Sequence, residues 1–161
     1  MLTSPFRFRP FALVVLASVV ALAATPAGFA QDAEADRQAA LQFNIIATAY
    51  NNGLYEKSAA KWAEFIQAHS NYKRIDEAHF FLANSQLNTK KFNEAIATYN
   101  TLQQKYPKFA QLDAARYNLA MARFQIASAS NKPEDFKQAA AALNDMIAKH
   151  AGSPFVPRAY Y

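Results

Sequence analysis

Cysteine is absent from the 161 residues of this chain, and glycine occurs only three times. The absence of cysteine excludes disulfides, thiolate metal sites, thiol nucleophiles and a lipid attached through an N-terminal cysteine. The scarcity of glycine favours helix, because glycine costs about 1 kcal/mol more than alanine in a helix interior. Alanine is abundant after position 30, so we expect an all-helical fold.

Long runs of one charge are missing as well. The formal net charge is +5, but the lysines and arginines are scattered along the chain. A protein that binds nucleic acid usually concentrates its basic residues in one patch or stripe. We therefore expect a surface of mixed charge and no nucleic-acid partner.

Recognisable catalytic patterns are also lacking. The sequence contains no G-x-S-x-G, no H-E-x-x-H and no glycine-rich phosphate loop. Its three histidines, His69, His79 and His150, are far apart in the chain, whereas a zinc site needs clustered ligands. We predict a protein that is not an enzyme and that uses no metal and no cofactor.

The first thirty residues differ from the rest of the chain. Arg7 and Arg9 precede an apolar run at 11–24, and small residues, Gly28 and Ala30, stand before Gln31. This layout predicts a signal peptide over residues 1–30, cleaved before Gln31. The alternative is an uncleaved membrane anchor, but the apolar run would span only about 21 Å of a bilayer core of roughly 30 Å. We expect an exported protein, located in a bacterial periplasm, that meets the membrane only through this segment.

A block of residues recurs along the chain. Tyr55 and Phe92 are 37 positions apart, as are Trp62 and Tyr99, and a third copy of the block begins at Phe136, shifted by 44 positions because of a seven-residue insertion. A fixed period of 20 to 50 residues indicates stacked helical units. Such units bury their apolar faces only against their neighbours, so the period predicts a scaffold that presents a surface.

Helical spacing of apolar residues divides the chain into six helices and the start of a seventh. We expect a flexible segment at 31–38 and a repeat domain at 39–161, with three units and the beginning of a fourth. The expected helices cover residues 39–51, 55–68, 72–88, 92–106, 112–128 and 133–150. Asn51, Asn52 and Gly53 should end the first helix, because Asn and Gly tolerate a left-handed conformation. We also expect the native protein to continue past Tyr161, or a partner to cover that end.

These residues resemble the tetratricopeptide repeat. The second helix of each unit carries four matching columns, which are Tyr55/Phe92/Phe136, Ser58/Ala95/Ala139, Trp62/Tyr99/Leu143 and Phe65/Leu102/Met146. The small residue at the helix crossing is Ala83 or Ala120, but Ile46 in the first unit, where the helices should cross less closely. The resemblance implies an all-α, right-handed solenoid of antiparallel helix pairs that binds a protein or peptide. The unit length is similar to that of envelope members of the family.

In this family the first helix of each unit lines a concave groove, and three columns of this sequence fall there. They are Phe43/Phe80/Tyr117, Tyr50/Leu87/Phe124 and Asn51/Asn88/Gln125, and Asn84 completes the candidate groove. Amides can bond to a peptide backbone and rings can bury its side chains, so we expect an extended peptide as ligand. Alternatively, the aromatic columns belong to the core and the amides only end each helix.

Two readings of the whole chain stay open beside a scaffold in the cell envelope. One is the helical front module of a longer exported enzyme or of a transport or assembly protein. The other is a domain that self-associates through its C-terminal end. The basic pairs with which some members of the family clamp a C-terminal carboxylate are absent from the groove columns.

Overall fold

A computed structural model describes residues 27–160 of the chain. Within this range the chain forms helices and no strand, as the sequence predicts. The helices are α1 (Ala27–Asn51), α2 (Tyr55–Ala68), α3 (Ile75–Asn88), α4 (Phe92–Lys105), α5 (Leu112–Ser130), α6 (Pro133–Lys149) and α7 (Val156–Ala159). None of these helices is long and apolar enough to cross a membrane. Most of the predicted signal peptide, residues 1–26, lies outside the described residues.

The helices pack in chain order and form a stack of pairs. Each pair, α1 with α2, α3 with α4 and α5 with α6, is one unit, and α2 and α4 also pack on the first helix of the following unit. In addition α3 contacts both α1 and α5, so the three first helices lie side by side. The period in the sequence is therefore a period in space, as expected of a helical repeat.

The turn that closes the first pair is repeated in the second. Gly53 has a φ of +76°, and Lys90, which follows it by 37 positions, has a φ of 61°. The amide of Leu54 donates to the carbonyl of Ala49 at 3.0 Å, and that of Lys91 donates to Gln86 at 2.8 Å. This six-to-one bond is typical of a helix that ends in a left-handed residue. The predicted stop at Gly53 is confirmed.

The first helix begins twelve residues earlier than its predicted start at residue 39. The structure continues α1 back to Ala27, so residues 31–38 are helical and not a separate segment. Alanine favours this extension, and Glu34 accepts hydrogen bonds from Arg37 at 3.2 Å and from Gln38 at 2.9 Å. Side-chain pairs at this spacing stabilise an exposed helix.

Helix α3 begins three residues later than the pattern predicted. Two consecutive turns precede the helix. The amide of Tyr72 donates to the carbonyl of His69, and the amide of Ile75 donates to the carbonyl of Tyr72. Arg74 then donates two hydrogen bonds to Glu77, at 2.6 and 2.7 Å, across the first turn of the helix. Helix α5 runs two residues beyond the prediction and ends before Asn131, which has a φ of 53°.

The core runs along the stack between the helix layers. In the first unit it is aromatic, with Trp62 and Phe65 at 0 % and 2 % exposure. At the helix crossings Ala83 and Ala120 are fully buried, whereas Ile46 occupies that place in the first unit.

Candidate functional site

Two of the predicted groove residues lie in the core. Phe43 is fully buried, and its ring centroid is 4.8 Å from that of Trp62. The guanidinium of Arg74 covers the same ring at 4.1 Å from its centroid. Phe80 is 7 % exposed and packs on Phe109 at 5.4 Å. The assignment of Phe43 and Phe80 to a ligand groove is therefore wrong, because neither ring has surface left for a ligand.

Asn84, also predicted to line the groove, is buried within a hydrogen-bond network. Its Oδ1 accepts from the hydroxyl of Tyr99 and, at 3.0 Å, from Nδ2 of Asn118. A buried polar group needs such partners, and this one ties α3 to α4 and α5. Burial raises the pKa of Tyr99, so its hydroxyl stays protonated and donates. This carboxamide holds units together, which corrects its prediction as a groove residue.

Tyr117 lies between core and surface. Its ring stacks on Phe155, with centroids 5.1 Å apart and planes inclined by 26°. Phe155 directly precedes α7, so the start of the fourth unit covers one face of Tyr117. The residue is half-buried and leaves only part of its ring to solvent.

The remaining groove candidates lie closer to the surface, near the C-terminal ends of α1 and α3 and within α5. Asn51, Asn88 and Gln125 are exposed, Tyr50 and Leu87 are half-buried, and Phe124 is 41 % exposed. We call this set the outer ladder; its members are Tyr50, Asn51, Leu87, Asn88, Phe124 and Gln125. Each unit contributes one apolar side chain followed by one carboxamide, at a spacing of 37 residues.

Part of the outer ladder also has a structural role. Tyr50 packs edge-on against Tyr55 at 5.4 Å, and Phe124 packs against Phe136 at 6.1 Å. Each ring thus meets an aromatic residue near the start of the second helix of its own unit. Burial, and the neighbouring Tyr55, raise the pKa of Tyr50. The apolar half of the ladder therefore helps to close the helix pairs.

The amides of the ladder are less constrained. Asn88, the last residue of α3, donates from Nδ2 to the carbonyl of Asn84 at 2.8 Å, as the helix-end alternative expects. Within residues 27–160 no hydrogen bond holds the side chain of Asn51 or Gln125. Their donors and acceptors are open to solvent and therefore to a ligand.

Sequence reasoning missed a set of clefts on another face of the first helices. By helical periodicity, the positions that line them, 42, 79 and 116, lie about 80° from the apolar members of the outer ladder and about 180° from its amides. The outer cleft, on α1 and α2, measures about 480 Å³; the middle cleft, between α2 and α4, about 270 Å³; and the arginine cleft, between α4 and α6, about 410 Å³. Their linings include Gln42, His79 and Arg116 respectively. These three residues share one repeat position, which is the signal that could have revealed the clefts.

The chemistry at this shared position changes from unit to unit. His79 is 8 % exposed in the middle cleft, and burial lowers its pKa, with Lys105 lowering it further. Arg116 instead forms an ion pair with Asp145 of α6 at 2.6 Å. Among the described residues, no group of three or more histidines and acids is placed to hold a metal ion.

Comparison with protein families identifies the second unit of the stack. The family model of the tetratricopeptide repeat matches residues 77–108, which span most of α3, all of α4 and the turn that follows. The chain carries a tetratricopeptide repeat. A comparison with curated proteins found no significant match. Tetratricopeptide repeats are generally non-catalytic and mediate interactions between proteins, and the period of 37 residues extends this architecture to the units on either side of the matched one.

Proposed function

We propose that this tetratricopeptide repeat chain is an exported scaffold of the bacterial cell envelope that binds an extended segment of a partner protein along the outer ladder. One observation carries the proposal. The same pair, an apolar side chain and a carboxamide, recurs at the surface of three neighbouring helices. Packing explains the apolar members in part, and Asn51 stands at the end of α1 as the helix-end alternative expects, but neither explains the exposed amide of Gln125 within α5.

The spacing of the ladder suits an extended peptide. Packed helices lie about 8–10 Å apart, and three residues of extended chain span about 10 Å. A peptide that crosses α1, α3 and α5 would therefore meet one ladder pair for every three of its residues. The carboxamides would donate to and accept from its backbone, while Leu87 and Phe124 would cover its side chains.

A library of random twelve-residue peptides, displayed on phage and selected on the immobilised protein, tests the ladder. We expect the selected peptides to lose about tenfold in affinity when Asn51 and Gln125 are both changed to alanine, since each loses a hydrogen bond worth about 0.5–1.5 kcal/mol. The matched control is Asn93→Ala, which removes an exposed amide from α4. Equal affinities of the double variant and the control would refute binding at the ladder.

The envelope location depends on residues 1–30 alone. Their basic start, apolar run and small residues before Gln31 support export. Mass spectrometry of the protein produced in a Gram-negative bacterium tests this part separately. A periplasmic product that begins at Gln31 is expected, and a cytoplasmic product that retains residues 1–30 would contradict it.

A further inference from the structure

The arginine cleft differs in charge from its two counterparts. Arg116 and Arg123 lie two turns apart on α5 and both line the cleft. The corresponding residues are His79 and Gln86 in the second unit and Gln42 and Ala49 in the first. A pair of fixed positive charges therefore occurs at only one of the three matching places in the described part of the stack.

Arg123 retains most of its hydrogen-bonding capacity. Its Nη1 donates to Oε1 of Gln138 at 2.9 Å, and a guanidinium has five N–H donors. Within residues 27–160 no carboxylate lies within ion-pair distance of Arg123. Its guanidinium is thus hydrogen-bonded to a neutral amide, and its charge has no counter-charge at ion-pair distance among the described residues.

Arg116 is held but not fully satisfied. Its side chain is 15 % exposed, its Nη1 donates to Asp145 at 2.6 Å, and its Nε is buried with no acceptor among the described residues. Lys149 binds the other oxygen of Asp145 at 2.7 Å, and Lys149 and then Arg116 lower the pKa of that carboxyl. Asp145 therefore pairs with two cations, Arg116 and Lys149, while Arg123 also lines the cleft without a carboxylate partner among the described residues, so the lining has an excess of positive charge.

The other walls of the cleft specify more than charge. Asn100 and Gln103 of α4 line one side with amides, and Ala141 and Ala142 supply an apolar surface above the buried Leu119. Arginine favours carboxylates because its planar fork matches their geometry. We propose that the arginine cleft binds the carboxylate of a glutamate or aspartate in an acidic partner peptide, with a neighbouring apolar side chain on Ala141 and Ala142.

This site is separate from the outer ladder and does not rest on the proposed function. The competing explanation is structural, since Arg116 and Arg123 both bridge α5 to α6 through Asp145 and Gln138. A purely structural role predicts a loss of stability on substitution and no effect on ligands. The two roles are therefore separable by measuring both quantities on the same variants.

The probe is a pair of blocked peptides, acetyl-Ala-Leu-Glu-Leu-Ala-amide and the same peptide with glutamine in place of glutamate. Backbone amide shifts of the purified protein are followed by NMR at 50 and 300 mM NaCl. We expect the glutamate peptide to shift resonances of residues 116–123 and 138–145, to bind at least about tenfold more tightly than the glutamine peptide, and to weaken at high salt.

Variants then assign the effect to the cleft. Arg123→Gln should lower the affinity about tenfold, Arg123→Lys should restore part of it, and the control Arg37→Gln on α1 should leave it unchanged. Circular dichroism and melting temperature establish that each variant is folded. Equal binding of the two peptides, or undiminished binding by folded Arg123→Gln, would overturn the proposal. So would inorganic phosphate that shifts the same resonances as strongly, because the cleft would then be a general anion site.

Discussion

Ile45 and Leu82 occupy the same position in successive units, yet 69 % of Ile45 is exposed and only 9 % of Leu82. One helical turn earlier the contrast is repeated, with Leu41 at 53 % and Ala78 fully buried. The two surfaces are the same face of the first helix in units one and two. They differ because α2 packs on α3, whereas no described helix packs on the corresponding side of α1.

The comparison shows that a side chain in a repeat protein is buried when a neighbouring unit packs on it, whatever its residue type. The junction between α2 and α3 is specific, since the hydroxyls of Ser58 and Ser85 meet inside it at 2.9 Å. Where the described stack begins, the same face is the wall of the open outer cleft. An isoleucine there is compatible with solvent, while a leucine one unit later is part of the core.

The largest expected effect comes from a column in which the first unit is the more buried one. Phe43→Ala should lower the free energy of unfolding by about 3–5 kcal/mol, since it opens a cavity among aromatic rings. Tyr117→Ala, at the matching position two units later, should cost about half as much or less, because Tyr117 is only half-buried. Urea denaturation of both variants checks this. A Phe43→Ala variant as stable as the wild type would contradict the packing of Phe43 in the core.

The next prediction tests the opening comparison directly. Leu82→Ala should cost about 2–5 kcal/mol, whereas Ile45→Ala should change stability by no more than about 0.5 kcal/mol, as at other exposed sites. The two substitutions are made at one repeat position and are measured under the same denaturant conditions. If they prove equally costly, the outer cleft is covered in solution.

The smallest effect concerns pH and the middle cleft. Because the pKa of His79 is lowered in the folded protein, the unfolded chain takes up a proton near pH 6.5 that the folded chain does not. Stability should therefore fall as pH decreases from 7 through 6.5, and it should level off once the pH is below the folded pKa. His79→Gln, which introduces the residue found at position 42, should flatten this dependence.

Thermal melts between pH 5 and 7.5 measure this pH dependence of stability, with His150→Gln as the control outside the middle cleft. Asp76 opposes the lowering of the pKa and Lys105 reinforces it, so Lys105→Gln should reduce the slope slightly. An unchanged pH profile for His79→Gln would mean that His79 is solvated in the folded state.

Several features could be predicted because they depend on short-range chemistry. The bounds of α2 agree with the apolar pattern, and the stop at Gly53 follows from the conformational freedom of glycine. The groove residues were harder to predict, because core-facing and groove-facing positions on a helix differ by a small rotation that periodicity does not fix. Phe43 and Asn84 were therefore placed at the surface, although Phe43 packs in the core and Asn84 binds the buried hydroxyl of Tyr99.

The sequence by itself determined that this chain is helical, that its units recur every 37 residues, and that they resemble the tetratricopeptide repeat. These properties follow from helix propensity and from apolar spacing, which are local. Only the tertiary structure decided which face of each helix is covered, and so separated Leu82 from Ile45 and placed Arg116 beside Asp145. The reason is that burial and ion pairing depend on neighbours distant in the sequence, which a single chain read residue by residue does not reveal.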